Sequence, residues 1–348
     1  MTGPVMTGTE ARTAAVTFTA ALAGAALAAL AGIPAGSLIG ALLAVAMVSA
    51  VGQAVHVPVL ARDIAFLIIG ISLGSGIDSS VVPHLPGWSV SLAGLAIGLV
   101  ATMAVSSWLL TRVFGIDRET AVLASSPGTM SNAVAIAAEG RGDPAAVMIL
   151  QLMRLVILVT LVPPLAALVD APGGAGGPAR EIMPLWGLAL LLVIGLPLGR
   201  FAGARGISAA CLLTGILLSG SVHATGLLHG AAPPWMIFLG FTMTGAAVGT
   251  RISRIDLRSA LRLGWAGVVV VGVALGMAVV FALLTWTVTG LPIGQVLIAY
   301  APGGVEAMAA IGLALGYDPA FVAAHHFARI VILLGLIPVF LRAARSAG

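Results

Sequence analysis

Residues 123–165 and 298–340 of this chain are two versions of one sequence. LASSPGTMSNAVAIAAEGRGDPAAVMILQLMRLVILVTLVPPL aligns without a gap to IAYAPGGVEAMAAIGLALGYDPAFVAAHHFARIVILLGLIPVF. Pro127 matches Pro302 (302 − 127 = 175), and the same offset pairs Gly128 with Gly303, Asp143 with Asp318, Pro144 with Pro319, Arg154 with Arg329 and Pro163 with Pro338. Weaker matches upstream pair Gly40 with Gly215, Phe66 with Phe241, Gly70 with Gly245 and Gly74 with Gly249. Duplication in an apolar chain marks transporter folds built from two repeats around a central site. It predicts a first membrane repeat over 1–170, a Gly/Pro linker over 171–182 and a second membrane repeat over 183–348.

Sixty per cent hydrophobic residues, 8% charged residues and a mean hydropathy of +1.14 lie far outside the soluble range. Apolar stretches of about 20 residues follow one another, each long enough to cross a hydrocarbon core. The chain reads as an all-α polytopic membrane protein surrounded by lipid bilayer. The run from Ala14 to Ala31 reads as a retained first span rather than a signal peptide. Cys211 stands alone in an apolar segment, so neither a disulfide framework nor a thiolate metal site is expected. The pI near 10.5 reflects arginines at membrane boundaries, and no nucleic-acid-reading motif accompanies it.

Candidate spans in the first half are about 13–32, 34–52, 60–77 and 88–113, followed by a broken segment, 119–138, and then 145–168. Their counterparts are about 183–201, 207–224, 234–250, 263–289, a broken segment, 293–315, and 320–341. The positive-inside rule chooses between two topologies. If the broken segments cross, Arg12, Arg62, Arg112, Arg118, Arg180, Arg342 and Arg345 lie inside. Arg141, Arg200, Arg205, Arg251, Arg254, Arg258 and Arg262 then lie outside, which is no bias at all. If the broken segments are re-entrant, only Arg180 lies outside. The expectation is two inverted-topology repeats with about ten spanning helices and two re-entrant or broken helical segments. Both termini are then cytoplasmic.

Each break centres on a Pro-Gly pair, Pro127-Gly128 and Pro302-Gly303. Proline removes a backbone donor and clashes with the preceding turn, so the helix opens there. Opened backbone at membrane depth is tolerated only when buried in protein or lining a wet cavity. A half-helix N-terminus also favours an anion. Ser125, Ser126, Thr129, Ser131 and Asn132 add polar groups at the first tip; Tyr300, Gly304 and Glu306 belong to the second. Arg154 and Arg329 sit inside membrane helices, where each needs a partner. Gln151 and His326 lie three residues before them, on the same helix faces. The arginines either bond carbonyls exposed by the breaks or coordinate an anionic substrate, and the two roles are compatible. Asp143 and Asp318, each followed by proline, read as helix N-caps. Asp63 beside Arg62 reads as a membrane-boundary pair. Glu306, in apolar sequence beside a tip, is a candidate proton carrier. Adjacent His325 and His326 diverge by about 100° on a helix and do not readily chelate one metal. His223 and His229 fall in an expected outer loop. No nucleophile, phosphate-loop or cofactor motif is present, so neither a cofactor nor an enzymatic reaction is expected.

The duplicated PG…GxDPAxV…R…P pattern, above all APGGVEAMAAIGLALGYDPAFVAAHHFARI, resembles the bacterial AbrB-duplication membrane protein family, over nearly the whole chain. Its members carry inherited labels: AbrB family transcriptional regulator, AidB regulator and ammonia monooxygenase. The resemblance implies an integral protein of the bacterial inner membrane. The first half departs from the second-half motif at Thr129, Ser131 and Gln151, where the second half has Gly304, Glu306 and His326. The reading adopted is a secondary transporter of elevator or rocking type for a small anionic solute, coupled to a proton or a sodium ion. Its binding residues are Ser125, Ser126, Pro127, Gly128, Thr129, Asn132, Gln151, Arg154, Tyr300, Pro302, Gly303, Gly304, Glu306, His326 and Arg329. A homo-oligomer is compatible with this reading. One alternative is a membrane-embedded regulator or sensor that moves nothing and uses the loop carrying Arg251, Arg254, Arg258 and Arg262. Another is a metal-dependent oxidase, which requires bound copper or iron.

Overall fold

With no water to satisfy it, backbone in a bilayer must bond to itself, and a helix does so within one segment. The computed structural model describes residues 8–76, 85–127, 130–169, 181–207, 209–252 and 257–346. Among them the regular elements are helical, apart from an isolated bridge between Ile182 and Ala231. In chain order the α-helices are α1 (Gly8–Leu30), α2 (Gly36–Ala50), α3 (Val59–Gly74), α4 (Ser89–Arg112), α5 (Arg118–Ser125), α6 (Met130–Ala138) and α7 (Pro144–Val169). There follow α8 (Leu185–Ala204), α9 (Ala210–Ala224), α10 (Pro234–Ile252), α11 (Leu257–Thr289), α12 (Ile293–Tyr300), α13 (Val305–Ala314) and α14 (Pro319–Ser346). A 3₁₀ turn, Leu85–Trp88, leads into α4. The offset of 175 residues carries α5 onto α12 at both ends (293 − 118 = 175; 300 − 125 = 175).

Among the described residues six helices are long and apolar enough to cross a membrane: α1, α4, α7, α8, Leu261–Thr289 within α11 and Ala320–Ser346 within α14. Three expected spans come out shorter. Helices α2 and α9 have 15 residues each and α3 has 16. At 1.5 Å per residue these reach about 22–24 Å, against a hydrocarbon core of about 30 Å. Left-handed residues set the limits of two of them: Ala35 (φ 53) and Gly52 (φ 82) flank α2, and Ala209 (φ 54) and Gly226 (φ 72) flank α9. The caps are as expected. Asp143 Oδ1 accepts from the amides of Ala145 (2.9 Å) and Ala146 (3.1 Å), and Asp318 Oδ1 from that of Ala320 (2.9 Å). Arg62 and Asp63 pair at 2.8 Å. His223 is not in a loop. It is buried in the last turn of α9, 2.7 Å from the Ser219 carbonyl and 3.1 Å from that of Gly230.

The chain divides into two compact units. One holds α1–α3 and α8–α10; the other holds α4–α7, α11, α12 and α14 from Phe321 onward, and the division falls within α13. Each unit therefore takes corresponding helices from both halves of the sequence. In the first unit α2 packs on α10 and α3 on α9, and glycine makes both contacts close. A Cβ on Gly70 would sit 2.2 Å from the Leu212 carbonyl oxygen, and one on Gly245 would sit 2.2 Å from that of Leu38. Close backbone approach through small residues is how apolar helices associate where lipid competes equally for larger side chains. The core of the second unit includes Leu110, Leu123, Ile149, Leu150, Leu333 and Ile337.

Gly70→Ala is expected to cost about 1–3 kcal/mol, since backbone cannot yield as a side chain can. Gly264→Ala meets no atom within 4 Å and is expected to be neutral or to stabilise by up to about 1 kcal/mol. Thermal unfolding of the two variants in detergent checks the contrast.

Candidate functional site

Proline at 127 cannot donate to Leu123, and proline at 302 cannot donate to Ile298, so each break frees a carbonyl one turn back. The last helical bonds before them run from Ser126 N to the Val122 carbonyl and from Ala301 N to that of Leu297. Side chains from the following long helix then take over. Gln151 Nε2 donates to the Leu123 carbonyl at 2.8 Å. Arg154 donates to the carbonyl of Ser126 at 3.0 Å and to those of Ala124 and Ser125 at 3.4 Å. In the second half Arg329 donates to the carbonyl of Ala301 at 2.7 Å and to that of Gly303 at 2.9 Å. Ser126 and Ala301 are themselves 175 residues apart, so the same bond is made twice. Both arginines are buried, and they are close enough to feel each other's charge.

The hydroxyls of Ser125 and Ser126 donate to carbonyls of their own helix, those of Val122 (2.9 Å) and Leu123 (2.8 Å). Tyr300, which occupies the place of Ser125, reaches other helices instead. Its hydroxyl donates to the Ser91 carbonyl of α4 and pairs with Thr285 Oγ1 of α11 at 2.8 Å. A Cβ on Gly94 would lie 2.8 Å from the Tyr300 oxygen and 2.9 Å from Thr285 Oγ1, so this glycine makes room for the pair. His325 has both ring nitrogens engaged. Nδ1–H donates to the Phe321 carbonyl and Nε2 meets Ser91 Oγ, each at 2.8 Å. Neither Ser91 nor Thr285 stands out in the sequence, because single hydroxyls in apolar helices are common.

His326 is different. Its ring is completely buried and, among the described residues, neither nitrogen has a hydrogen-bond partner. The Ile298 carbonyl, twin of the Leu123 carbonyl that Gln151 satisfies, influences the ring without completing a hydrogen bond. Pro127 and Pro302 line one small cavity of about 20 Å³, room for a water molecule. Its walls include Leu95, Leu99, Met277 and Phe281, with Thr102 and Tyr300 as polar members. Gly303 is buried and Gly304 partly exposed. Asn132 is exposed on α6, apart from this buried group. Gly128 and Thr129 lie outside the described residues. The side chains of Ser131 and Glu306 also lie outside the description, though their backbones belong to α6 and α13.

A family model described as "Transition state regulatory protein AbrB" matches residues 2–170 and, in a second overlapping match, residues 38–345. The chain belongs to the AbrB family. It is similar to "Uncharacterized protein YhjN" of Bacillus subtilis (strain 168), with 25% identity over 301 residues, covering 79% of this chain and 76% of that protein. It is also similar to "Putative regulator AbrB" of Escherichia coli (strain K12), with 31% identity over 144 residues, 40% of each chain.

Two substitutions test the site of this AbrB-family chain. His326→Gln copies Gln151 into the second half and gives the Ile298 carbonyl an amide donor. It is expected to stabilise the fold by about 1 kcal/mol, the net worth of one satisfied buried bond. Gly94→Ala intrudes on Tyr300 and Thr285 and is expected to destabilise by about 1–3 kcal/mol. Unfolding temperatures of the purified variants, compared with the parent chain, read both.

Proposed function

We propose that this chain is an inner-membrane secondary transporter for a small anionic solute, built from two inverted repeats, with its binding site at the paired Pro-Gly breaks. The observation that carries the reading is that Pro127 and Pro302, 175 residues apart, line the same cavity. Behind the tips stand Arg154 and Arg329, two buried cations that give this region a positive potential. In low-dielectric surroundings such charge is worth far more than in water. The helix correspondence at one offset, the two overlapping family matches and the pairing of α2 with α10 and α3 with α9 all support a two-repeat architecture. So does the composition of each compact unit, which takes corresponding helices from both halves. A two-unit protein of this kind suits alternating access by rigid-body movement of one unit. Helices α5, α6, α12 and α13, of 8–10 residues each, are too short to span singly and fit the re-entrant reading.

The arginines bind the solute indirectly in this scheme. Much of their donor capacity goes to tip carbonyls, so they hold the tips in shape and lend them charge. Uptake draws on Glu306 as the proton carrier. A solute larger than water requires the cavity to widen, which alternating access supplies.

The test is solid-supported-membrane electrophysiology on the reconstituted protein, with concentration jumps of acetate, lactate, phosphate and sulfate. At least one anion is expected to give a transient current that a pH gradient modulates. Glu306→Gln is expected to keep the folded protein and lose that modulation. The absence of current with every anion, from protein that unfolds cooperatively, would sink the anion reading. Full pH modulation in Glu306→Gln would remove that residue from the coupling step.

A further inference from the structure

Three arginines converge at a place the paired tips do not explain. Arg141 lies in the turn between α6 and α7, while Arg342 and Arg345 lie near the end of α14. Three residues apart, these two share a helix face. With Pro338 and Leu341 the three arginines line a cavity of about 180 Å³. Arg345 Nε donates to Glu119 Oε1 at 2.6 Å, which fixes its guanidinium and offsets one of the three charges. Among the described residues, Arg141 and Arg342 make no ion pair. Arg141 and Arg342, each with five N–H donors in a planar fork, thus border a mostly apolar concave space with charge that no ion pair among the described residues offsets.

Positive-inside bias alone explains arginines at a boundary. It does not explain their convergence from two separate stretches of chain onto one cavity with an apolar wall. Arginine forks match the oxygens of a phosphate in paired hydrogen bonds. Buried Leu341 and the ring of Pro338 offer apolar surface beside the charges. The cavity also lies where the apolar run of α14 gives way to arginine, the level at which lipid headgroups meet a membrane helix. We propose that Arg141, Arg342 and Arg345 form a binding site for a phosphate group, carried either by an anionic lipid headgroup or by a soluble phosphate compound. The site is separate from the transport reading and does not depend on it.

The experiment is thermal unfolding of the delipidated full chain in detergent, with native mass spectrometry of the same samples. The probes are phosphatidylglycerol, cardiolipin, phosphatidylcholine, inorganic phosphate and glycerol phosphate. Anionic lipid is expected to raise the unfolding temperature and to remain bound in the spectrometer, with phosphatidylcholine doing neither. The apparent affinity should weaken at higher salt and fall at least about tenfold in Arg141→Gln/Arg342→Gln, which removes both uncommitted forks. Arg342→Lys, which keeps charge and loses the fork, should fall between. Arg205→Gln, outside the cavity, should bind as the parent does. If inorganic phosphate or glycerol phosphate reproduces the shift and the variants abolish it, the site stands and its ligand is soluble. If no phosphate-bearing probe shifts the parent, or if the double variant binds like the parent, the site is refuted.

Discussion

A helix that stops inside an apolar interior leaves carbonyls with nothing to accept from, and the paired tips depend on how that deficit is met. Each such carbonyl would cost several kcal/mol if left bare at membrane depth. Arg154 and Arg329 meet much of the demand, because a guanidinium carries enough donors to serve two or three carbonyls at once, and at the first break Gln151 and Ser126 serve the Leu123 carbonyl beside it. The same solution brings a positive charge beneath each tip. Structural support and electrostatic character are therefore one set of atoms here. A tip held this way has a buried positive charge close behind it.

The demand for close packing ties the halves together as firmly as the breaks do. Helix α2 meets α10 and α3 meets α9, so the second and third helices of each half exchange partners with those of the other. Gly70 and Gly245, matched in the sequence, both press on a carbonyl of the opposite half. A half folded by itself would leave these glycine faces uncovered, with no side chains to attract a substitute. The two halves of the sequence are thus interdependent in this packing rather than separately folded. The compact units cut across the sequence repeat for that reason.

Much of this was legible in the residues. The Pro-Gly pairs mark where α5 and α12 stop, and Asp-Pro marks where α7 and α14 begin, since both signals act through local backbone chemistry. Arginines set deep in apolar helices demand acceptors, and the nearest ones are the carbonyls a break exposes. Helix length was less legible. The limits of α2 and α9 rest on left-handed residues, two of them alanines at 35 and 209, and alanine carries no turn signal. His223 read as an outer-loop residue although the expected span 207–224 reaches it, and it lies in the last turn of α9. Asn132 is polar and close to the tip, but its position on α6 turns it outward. The Tyr300–Ser91 contact could not be found by spacing, because its partners lie 209 residues apart in the chain.

The differences between the tips decide where chemistry belongs. In the first half Ser125, Ser126, Gln151 and Arg154 turn inward on the break, while Asn132 is exposed. Ser125 and Ser126 bond their own helix, and Gln151 satisfies the carbonyl that Pro127 releases. In the second half Tyr300 is tied to α4 and α11, and His325 to Ser91 and Phe321. This fixes the tip from outside and relieves its own residues of that task. His326 then stands beside the equivalent carbonyl, completely buried and, among the described residues, without a hydrogen-bond partner. Buried polar groups are normally satisfied, and an exception in a well-packed region marks a place where stability has been given up. Gln151 demonstrates that the same position can be filled by a side chain that completes the bond. The two breaks are therefore alike in their arginines and unlike in the residue three places before each, where Gln151 bonds the freed carbonyl and His326 does not.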